Sequence, residues 1–445
     1  MKCIIKMACL IAAMTCLLAT GCDAFIAKYN SAGEQLWMRH FGTDNYYDYD
    51  FAFDVAADSH GFAWDSNGNV YVIGRTDGTF PGQTSAGGYD AFIAKYNSTG
   101  EQLWLKQFGT DNDDTAEGVT VDGRGYAYVT GSTLGTFRRQ TSAGGQDAFL
   151  VKYSSYGRQL WLKQFGTDND TAAQGVAVDG RGYAYVTGYT EGTFRRQNSA
   201  GGQDTFLVKY SSYGRQLWLR QFGTDENDTA EGVAVDGRGN ACVTGYTSGT
   251  FSGRTSAGGQ DAFLVNYDSS GRQLWLRQFG TDKNDTAKGV AVDGRGNACV
   301  TGNTSGTFSG QTSAGGQDAF LVNYDSSGRQ LWLRQFGTDS DDAASGVAVH
   351  GYGNTYMTRN TAGTFPRQTS TGEYENAYVT GYTLGTFPGQ TSAGGGDAFL
   401  VNYDFSGRQL WLRQFGTYAY DLAEGVAVDR EGNAYVAGYT DYAPF

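Results

Sequence analysis

Tryptophan recurs at a fixed interval in this chain. Trp104, Trp161, Trp218, Trp275 and Trp332 lie 57 residues apart, and Trp37 and Trp411 extend the series at spacings of 67 and 79. Each belongs to a near-copy of one run, in which GVAVD, NAYVTGYT, DAFLVNYD and RQLWLRQFG segments are separated by glycine-rich links. A unit built this way cannot bury a face by itself, so copies must stack on their neighbours in a ring or a solenoid.

The four segments read as four strands. Leu274, Leu276 and Gln278 alternate with Trp275, Arg277 and Phe279, as a strand with two unlike faces requires. The links DGRGN and DSSGR are hairpin turns, with glycine supplying positive φ and Asp or Asn capping local backbone groups. With 66 Gly, 30 Tyr, 26 Phe and 4 Pro, the composition suits tight turns between aromatic strands rather than helices or disorder. Fifty-seven residues is the size of one four-stranded blade. The leading valines of the innermost strands are Val55, Val119, Val176, Val233, Val290, Val347 and Val426, which predicts an all-β, seven-bladed β-propeller. The repeat starts at Asp23 with third and fourth strands and ends near Tyr439 with first and second strands, so residues 23–42 should complete the blade begun by 425–440. Closing the ring in this way removes exposed strand edges.

The pattern GVAVDxxGNxYVTGYT, followed by DAFxxKY and GxxLWxxxFG, resembles the seven-bladed beta-propeller (SBBP) repeat family over residues 23–445. NHL repeats share the GVAVDxxGNxYV start but lack the Trp strand. The resemblance implies a propeller fold and an envelope or extracellular location; it supplies no catalytic residues.

Residues 1–21 read as a signal peptide of lipoprotein type and residues 22–445 as the propeller, with insertions near 58–64 and 359–380. Lys2 and Lys6 precede an apolar run from Met7 to Leu18, too short to span a bilayer and suited to export. The run Leu18-Ala19-Thr20-Gly21-Cys22 resembles a bacterial lipobox, with Ala19 departing from the usual Leu, and it makes Cys22 the expected lipidation site. The expectation is a protein anchored through lipid in the bacterial cell envelope, or one cut nearby and secreted. Cys242 and Cys299 occupy one position in successive repeats, where Tyr128, Tyr185 and Tyr435 stand elsewhere. Equivalent positions on adjacent blades lie beyond disulfide reach, so two buried thiols are expected. A net charge of −13 argues against nucleic acid as a partner, because that affinity depends on Lys and Arg displacing counterions.

Strand order gathers the GTFxxQTSAGG loops and the acidic GTDxxD loops at one end of the ring, the loop end, with DGRGN and DSSGR turns at the other, the turn end. The acidic loops hold Asp111, Asp113 and Asp114; Asp168 and Asp170; Asp225, Glu226 and Asp228; Asp282 and Asp285; Asp339, Asp341 and Asp342. Carboxylates so spaced are candidate Ca²⁺ ligands, although no loop has the Gly and terminal Glu of an EF-hand; the competing reading is solvated turn caps. No other cofactor is expected.

Departures from the repeat are the candidate binding residues. His40, His60, Trp64, His350, Tyr352, Arg359, Tyr418 and Tyr420 all fall on blades six, seven and one, which adjoin around the ring. The 22-residue insertion echoes its surroundings, since TAGTFPRQTSTG at 361–372 returns as TLGTFPGQTSAG at 383–394, the mark of a tandem slip or of a binding loop. No nucleophile elbow, HExxH, CxxC or phosphate-cradling loop is present, and carboxylate pairs repeated in nearly every blade suggest turns rather than one tuned acid–base pair. The expected function is a non-enzymatic surface module binding a protein or glycan partner through the divergent arc. An extracellular polysaccharide lyase or hydrolase, and a structural repeat spacer, are the alternatives.

Overall fold

The computed structural model describes residues 21–45, 47–58, 68–350, 356–357, 361–362 and 376–441. Its strands form seven antiparallel sheets, one per blade. Blade 1 spans residues 50–108, blade 2 114–165, blade 3 171–222, blade 4 228–279 and blade 5 285–336, each with its four strands in sequence order from the channel outward. The seven predicted valines lie on the innermost strands and are fully buried.

Blade 7 is the closure. Its two inner strands, Asp421–Val428 and Ala434–Asp441, come from the C-terminal end of the chain, and its two outer strands, Cys22–Tyr29 and Gln35–Phe41, from the N-terminal end. The join is an uninterrupted antiparallel ladder from Cys22↔Asp441 to Tyr29↔Ala434.

The recurrent tryptophan holds blade to blade. Trp104 Nε1 donates to the Ser155 carbonyl of the next blade at 3.1 Å, and the same bond passes around the ring to Trp37, which donates to Ser98 at 3.0 Å, and Trp411, which donates to Ser31 at 2.9 Å. Beneath each indole lies the turn glycine of the next blade. At Gly328 φ is +79° and an added Cβ would sit 2.8 Å from Trp275, so only glycine admits both the turn and the indole. A second ring of contacts runs deeper, as where Phe108 meets Phe149 edge to face at 5.9 Å.

Blade 6 carries six strands in spatial order 361–362, 356–357, 342–350, 376–383, 397–404, 409–415. Two extra two-residue strands, Tyr356–Met357 and Thr361–Ala362, pair on the channel side of the innermost strand, with their backbone near the innermost strands of facing blades. The regular second-strand slot is filled by Asn376–Thr383, so residues 376–380, expected within the 359–380 insertion, belong to the blade, and the extra chain lies upstream of them. The reason is steric. The slot needs glycine, because a Cβ on Gly381 would fall 1.9 Å from the Ala343 carbonyl oxygen at the innermost strand's bulge. Twenty-two residues upstream, the duplicated copy presents Arg359 at that position. Only the second copy can occupy the second-strand slot.

Candidate functional site

Two departures from the repeat, at His40 and Tyr420, prove to be matched by a second change beside them. In six blades an outer-strand glutamine pins the loop between second and third strands. Gln278, for example, accepts from Phe251 N–H at 3.0 Å and donates to Gly249 O at 2.9 Å and to Asp261 at 2.8 Å. Blade 7 has no such loop, because that link is replaced by the two separate chain ends. There the glutamine is His40, whose imidazole stands 6.4 Å from the Phe25 ring. Burial lowers the His40 pKa while Asp23 opposes that shift, and burial raises the Asp23 pKa while His40 opposes it.

Tyr420 replaces a capping side chain. In other blades Asp113, Asp170 and Asp341 accept from a backbone N–H at the start of the third strand, at 3.0, 2.9 and 2.8 Å, and Asn227 and Asn284 do the same at 3.0 Å. A neutral amide oxygen serves there as well as a carboxylate, so the position accepts a hydrogen bond rather than supplying charge. In blade 6 the Gln that follows the two glycines becomes Gly396, and the Tyr420 ring packs over it, within 3.0 Å of where its Cβ would be. Tyr418 and Tyr420 are 62% and 41% exposed.

The deeper loop carboxylates are also structural. Asp114 accepts from Thr110 N–H at 2.6 Å and from its hydroxyl at 2.9 Å, and Asp228 repeats this with Thr224 at 2.6 and 3.0 Å. Burial pushes Asp50, Asp114 and Asp228 up to about 6 against these hydrogen bonds. Among the described residues no group of three or more His, Cys, Asp or Glu converges as a metal site.

His350 takes the place of the Asp that opens the DGRGN turn, and its Nε2 lies 3.1 Å from the Arg430 carbonyl of blade 7. That is the turn end, opposite Tyr418 and Tyr420. His60, Trp64, Tyr352 and Arg359 lie outside the described residues. Cys22 opens the first strand with its side chain buried and its Sγ 3.3 Å from Asp441 Oδ1.

One cluster at the loop end gathers several departures that pack on one another. Tyr49, Phe51 and Phe53 stack in series on blade 1, with centroids 6.1 and 6.0 Å apart and planes within 12° and 9°. Tyr439 of blade 7 meets Phe51 edge-on at 4.8 Å. The Arg75 guanidinium lies over Phe51, Phe53 and Tyr89 at 5.2, 5.6 and 4.5 Å, and its buried Nε has no hydrogen-bond partner among the described residues. Other blades carry Ser132, Tyr189, Tyr246, Asn303, Tyr382 or Tyr439 at the Arg75 position. The same aligned comparison reveals Asp54, where the other blades have glycine; its buried carboxylate accepts from Val55 N–H at 2.8 Å and Val119 N–H of blade 2 at 2.9 Å.

The SBBP model, described as a beta-propeller repeat, matches residues 103–138, 160–195, 217–251, 274–308 and 410–445. The chain is a β-propeller repeat protein of the SBBP type. Its sequence is similar to Regulatory protein FlaEY of Caulobacter vibrioides, 24% identical over 64% of this chain and 34% of that protein. It is also similar to an uncharacterized WD repeat-containing protein of Acanthamoeba polyphaga mimivirus, 22% identical over 81% of this chain and 32% of that one. The propeller chain thus spans about a third of the length of these curated relatives. Among solved structures, a Synechocystis apocarotenoid oxygenase is similar at a TM-score of 0.41 and 11% identity, covering 85% of this chain and 83% of that one. That likeness carries no argument about activity.

Proposed function

We propose that this propeller is a non-enzymatic binding module of the bacterial cell envelope, whose protein or glycan partner docks on the loop end across blades 6, 7 and 1. The observation that carries the reading is the Tyr49–Phe51–Phe53 stack with Arg75 laid over it, set beside exposed Tyr418 and Tyr420. Stacked rings offer large, rigid contact area at little entropic cost. Anchoring through Cys22 is part of the proposal; acylation of Sγ requires that side chain to leave its buried contact with Asp441.

The test is to graft repeat residues over the arc, with Phe51→Thr, Phe53→Glu, Arg75→Tyr, Tyr418→Asp and Tyr420→Asp. Parent and graft are then compared on a glycan array and by cross-linking at the cell surface. Every ligand captured by the parent should be lost by a graft that still unfolds cooperatively. Undiminished capture by the graft sinks the proposal. Fractionation of cells expressing wild type and Cys22→Ala tests the anchor: release of the variant from the membrane fraction is expected, and unchanged retention contradicts it.

A further inference from the structure

Blades 2 and 3 break the repeat in a different way from the divergent arc. After the buried Phe that starts the loop between second and third strands, the chain makes a four-residue turn closed by a backbone bond, such as Gln83 N–H to Phe80 O at 2.9 Å. Its third residue has positive φ: Gly82 at 75°, Gly253 at 73°, Gly310 at 77° and Gly389 at 76°. This is the type II turn, which favours Pro second and Gly third, and FPGQ in blades 1 and 6 supplies both. Blades 2 and 3 replace the pair with Arg138-Arg139 and Arg195-Arg196, and Arg139 and Arg196 hold φ of 64° and 66°.

Packing does not account for these arginines. A Cβ at Gly82, Gly253, Gly310 or Gly389 would meet nothing within 4 Å, so the first side-chain atom at this position gains no packing to offset the unfavourable backbone. All four are exposed, and none of their guanidinium groups has a hydrogen bond or ion pair with a described residue. Other rim arginines are engaged: Arg220 and Arg277 donate to glycine carbonyls of the next blade at 2.7 Å, and Arg272 and Arg329 pair with Asp268 and Asp325 at 3.1 and 3.0 Å.

A second departure, at the opposite, turn end of the same blades, also removes a carboxylate from beside an arginine. The turn Asp that neutralises Arg272 and Arg329 becomes Ser154 and Ser211 in blades 2 and 3, leaving Arg158 and Arg215 without that carboxylate. Residues 114–222 hold twelve Lys and Arg against nine Asp and Glu, a local balance of +3 within a chain of −13. The Arg pairs sit at the outer edge, because Gln140 and Gln197 tie their turns to Gln164 and Gln221 of the outermost strands at 3.2 and 3.1 Å.

We infer that the rim of blades 2 and 3 binds an acidic polysaccharide, whose carboxylates are taken in turn by the Arg138-Arg139 and Arg195-Arg196 forks. Planar guanidinium groups match carboxylates with two parallel hydrogen bonds, and two equivalent sites on adjacent blades suit a polymer with repeating anions. Nucleic acid fits less well, because its dense charge meets an acidic protein and the aromatic residues of these turns, Phe137 and Phe194, are buried and cannot stack a base. An anionic membrane would face the exposed Asp111, Asp113, Asp168 and Asp170 of the same end.

The test returns both turns of the full chain to the FPGQ sequence, with Arg138→Pro, Arg139→Gly, Arg195→Pro and Arg196→Gly. Binding to polygalacturonate, to dextran of similar size, to duplex DNA and to phosphatidylglycerol vesicles is measured alongside thermal unfolding. Expected are salt-sensitive binding of polygalacturonate but not dextran, a drop of at least tenfold in the variant, and a variant that melts higher than the parent. The control Arg254→Gln, in the corresponding blade 4 turn, should bind as the parent does. Equal affinity for dextran, no binding to polygalacturonate, undiminished binding by the variant, or tighter binding to DNA or vesicles overturns the inference. So does loss of self-association alone in the variant, which would make a second copy the occupant.

Discussion

Blades 4 and 5, beside blades 6, 7 and 1, show two ways in which a repeat drifts. In blades 4 and 5 the buried Tyr–Lys pair of blade 3 (Tyr185 with Lys209) becomes Cys–Asn, and the new pair bonds within itself, Asn266 Nδ2 to Cys242 Sγ at 3.0 Å and Asn323 to Cys299 at 3.1 Å. The thiol is inert: burial pushes Cys242 up to about 12. One change answers the other, and no binding surface results. Blades 6, 7 and 1 contain such matched changes too, in His40, in Tyr420 with Gly396, and in Arg75 with Phe51, Phe53 and Tyr89. Divergence alone is therefore a weak pointer to function; what sets the Arg75 cluster apart is its series of stacked, part-buried rings at the loop end.

The largest expected effect separates the two copies of the duplicated strand. Gly381→Arg gives the seated copy the residue of the excluded one, and the clash with Ala343 O should cost about 3–5 kcal/mol, measured by denaturant unfolding. Arg359→Gly should have the opposite consequence, making both copies competent for the slot and giving two registers, visible as doubled backbone NMR signals for blade 6.

Next comes the loop clamp. Gln278→Ala removes three hydrogen bonds at a part-buried site and should destabilise by about 2–3 kcal/mol. His40→Gln, which restores the repeat residue where no loop exists to be pinned, should change stability by less than about 1 kcal/mol. Equal effects at the two sites would dissolve the distinction between a clamp and its relic.

The compensated core pair gives a smaller effect. Cys242→Tyr should destabilise by about 1–3 kcal/mol through overpacking, and adding Asn266→Lys should recover about 1–2 kcal/mol, read as the coupling in a double-mutant cycle. Additive single effects would show that the two changes drifted independently.

The smallest effect is in pH. Asp50, Asp114 and Asp228 keep their protons in the folded state up to about 6, whereas an unfolded Asp releases its proton near 3.9. The folded state therefore binds more protons between those values, and its stability rises as pH falls from 7.5 to 5.5. His40, whose pKa is lowered, opposes the trend as one group against several. Asp268 and Asp325, held at about 2, begin to act only below about pH 4. A thermal midpoint a few degrees higher at pH 5.5 is expected; a lower one would mean that these carboxylates are ionised in the fold.

Periodicity made the ring legible. Alternation fixed the strands, the seven valines counted the blades, and the half-units at the ends implied the closure seen between Cys22–Tyr29 and Ala434–Asp441. The Trp–Gly clasp was half legible: the tryptophan's recurrence stood out in every blade, while its carbonyl partner emerged only with the neighbouring turn in place. The seating of the second strand copy was present in the sequence as Arg359 against Gly381, but its meaning depended on a carbonyl 1.9 Å from a missing Cβ. Arg75 and Asp54 escaped because they lie inside segments that otherwise keep the strand pattern, and only an aligned comparison of blades exposes them. His350 and Tyr418 share an arc in sequence but not an end of the ring, a separation set by which link each residue occupies.

Native-state hydrogen exchange tests the closed ring most directly. The amides of Cys22–Tyr29, which join the two ends of the chain, are compared with those of Asp261–Tyr267, the equivalent strand of the continuous blade 4. The ring predicts that both sets exchange only through global unfolding, with matching protection. Fast exchange of 22–29 while 261–267 stays protected would contradict it, leaving an open arc of six blades with a loosely held end.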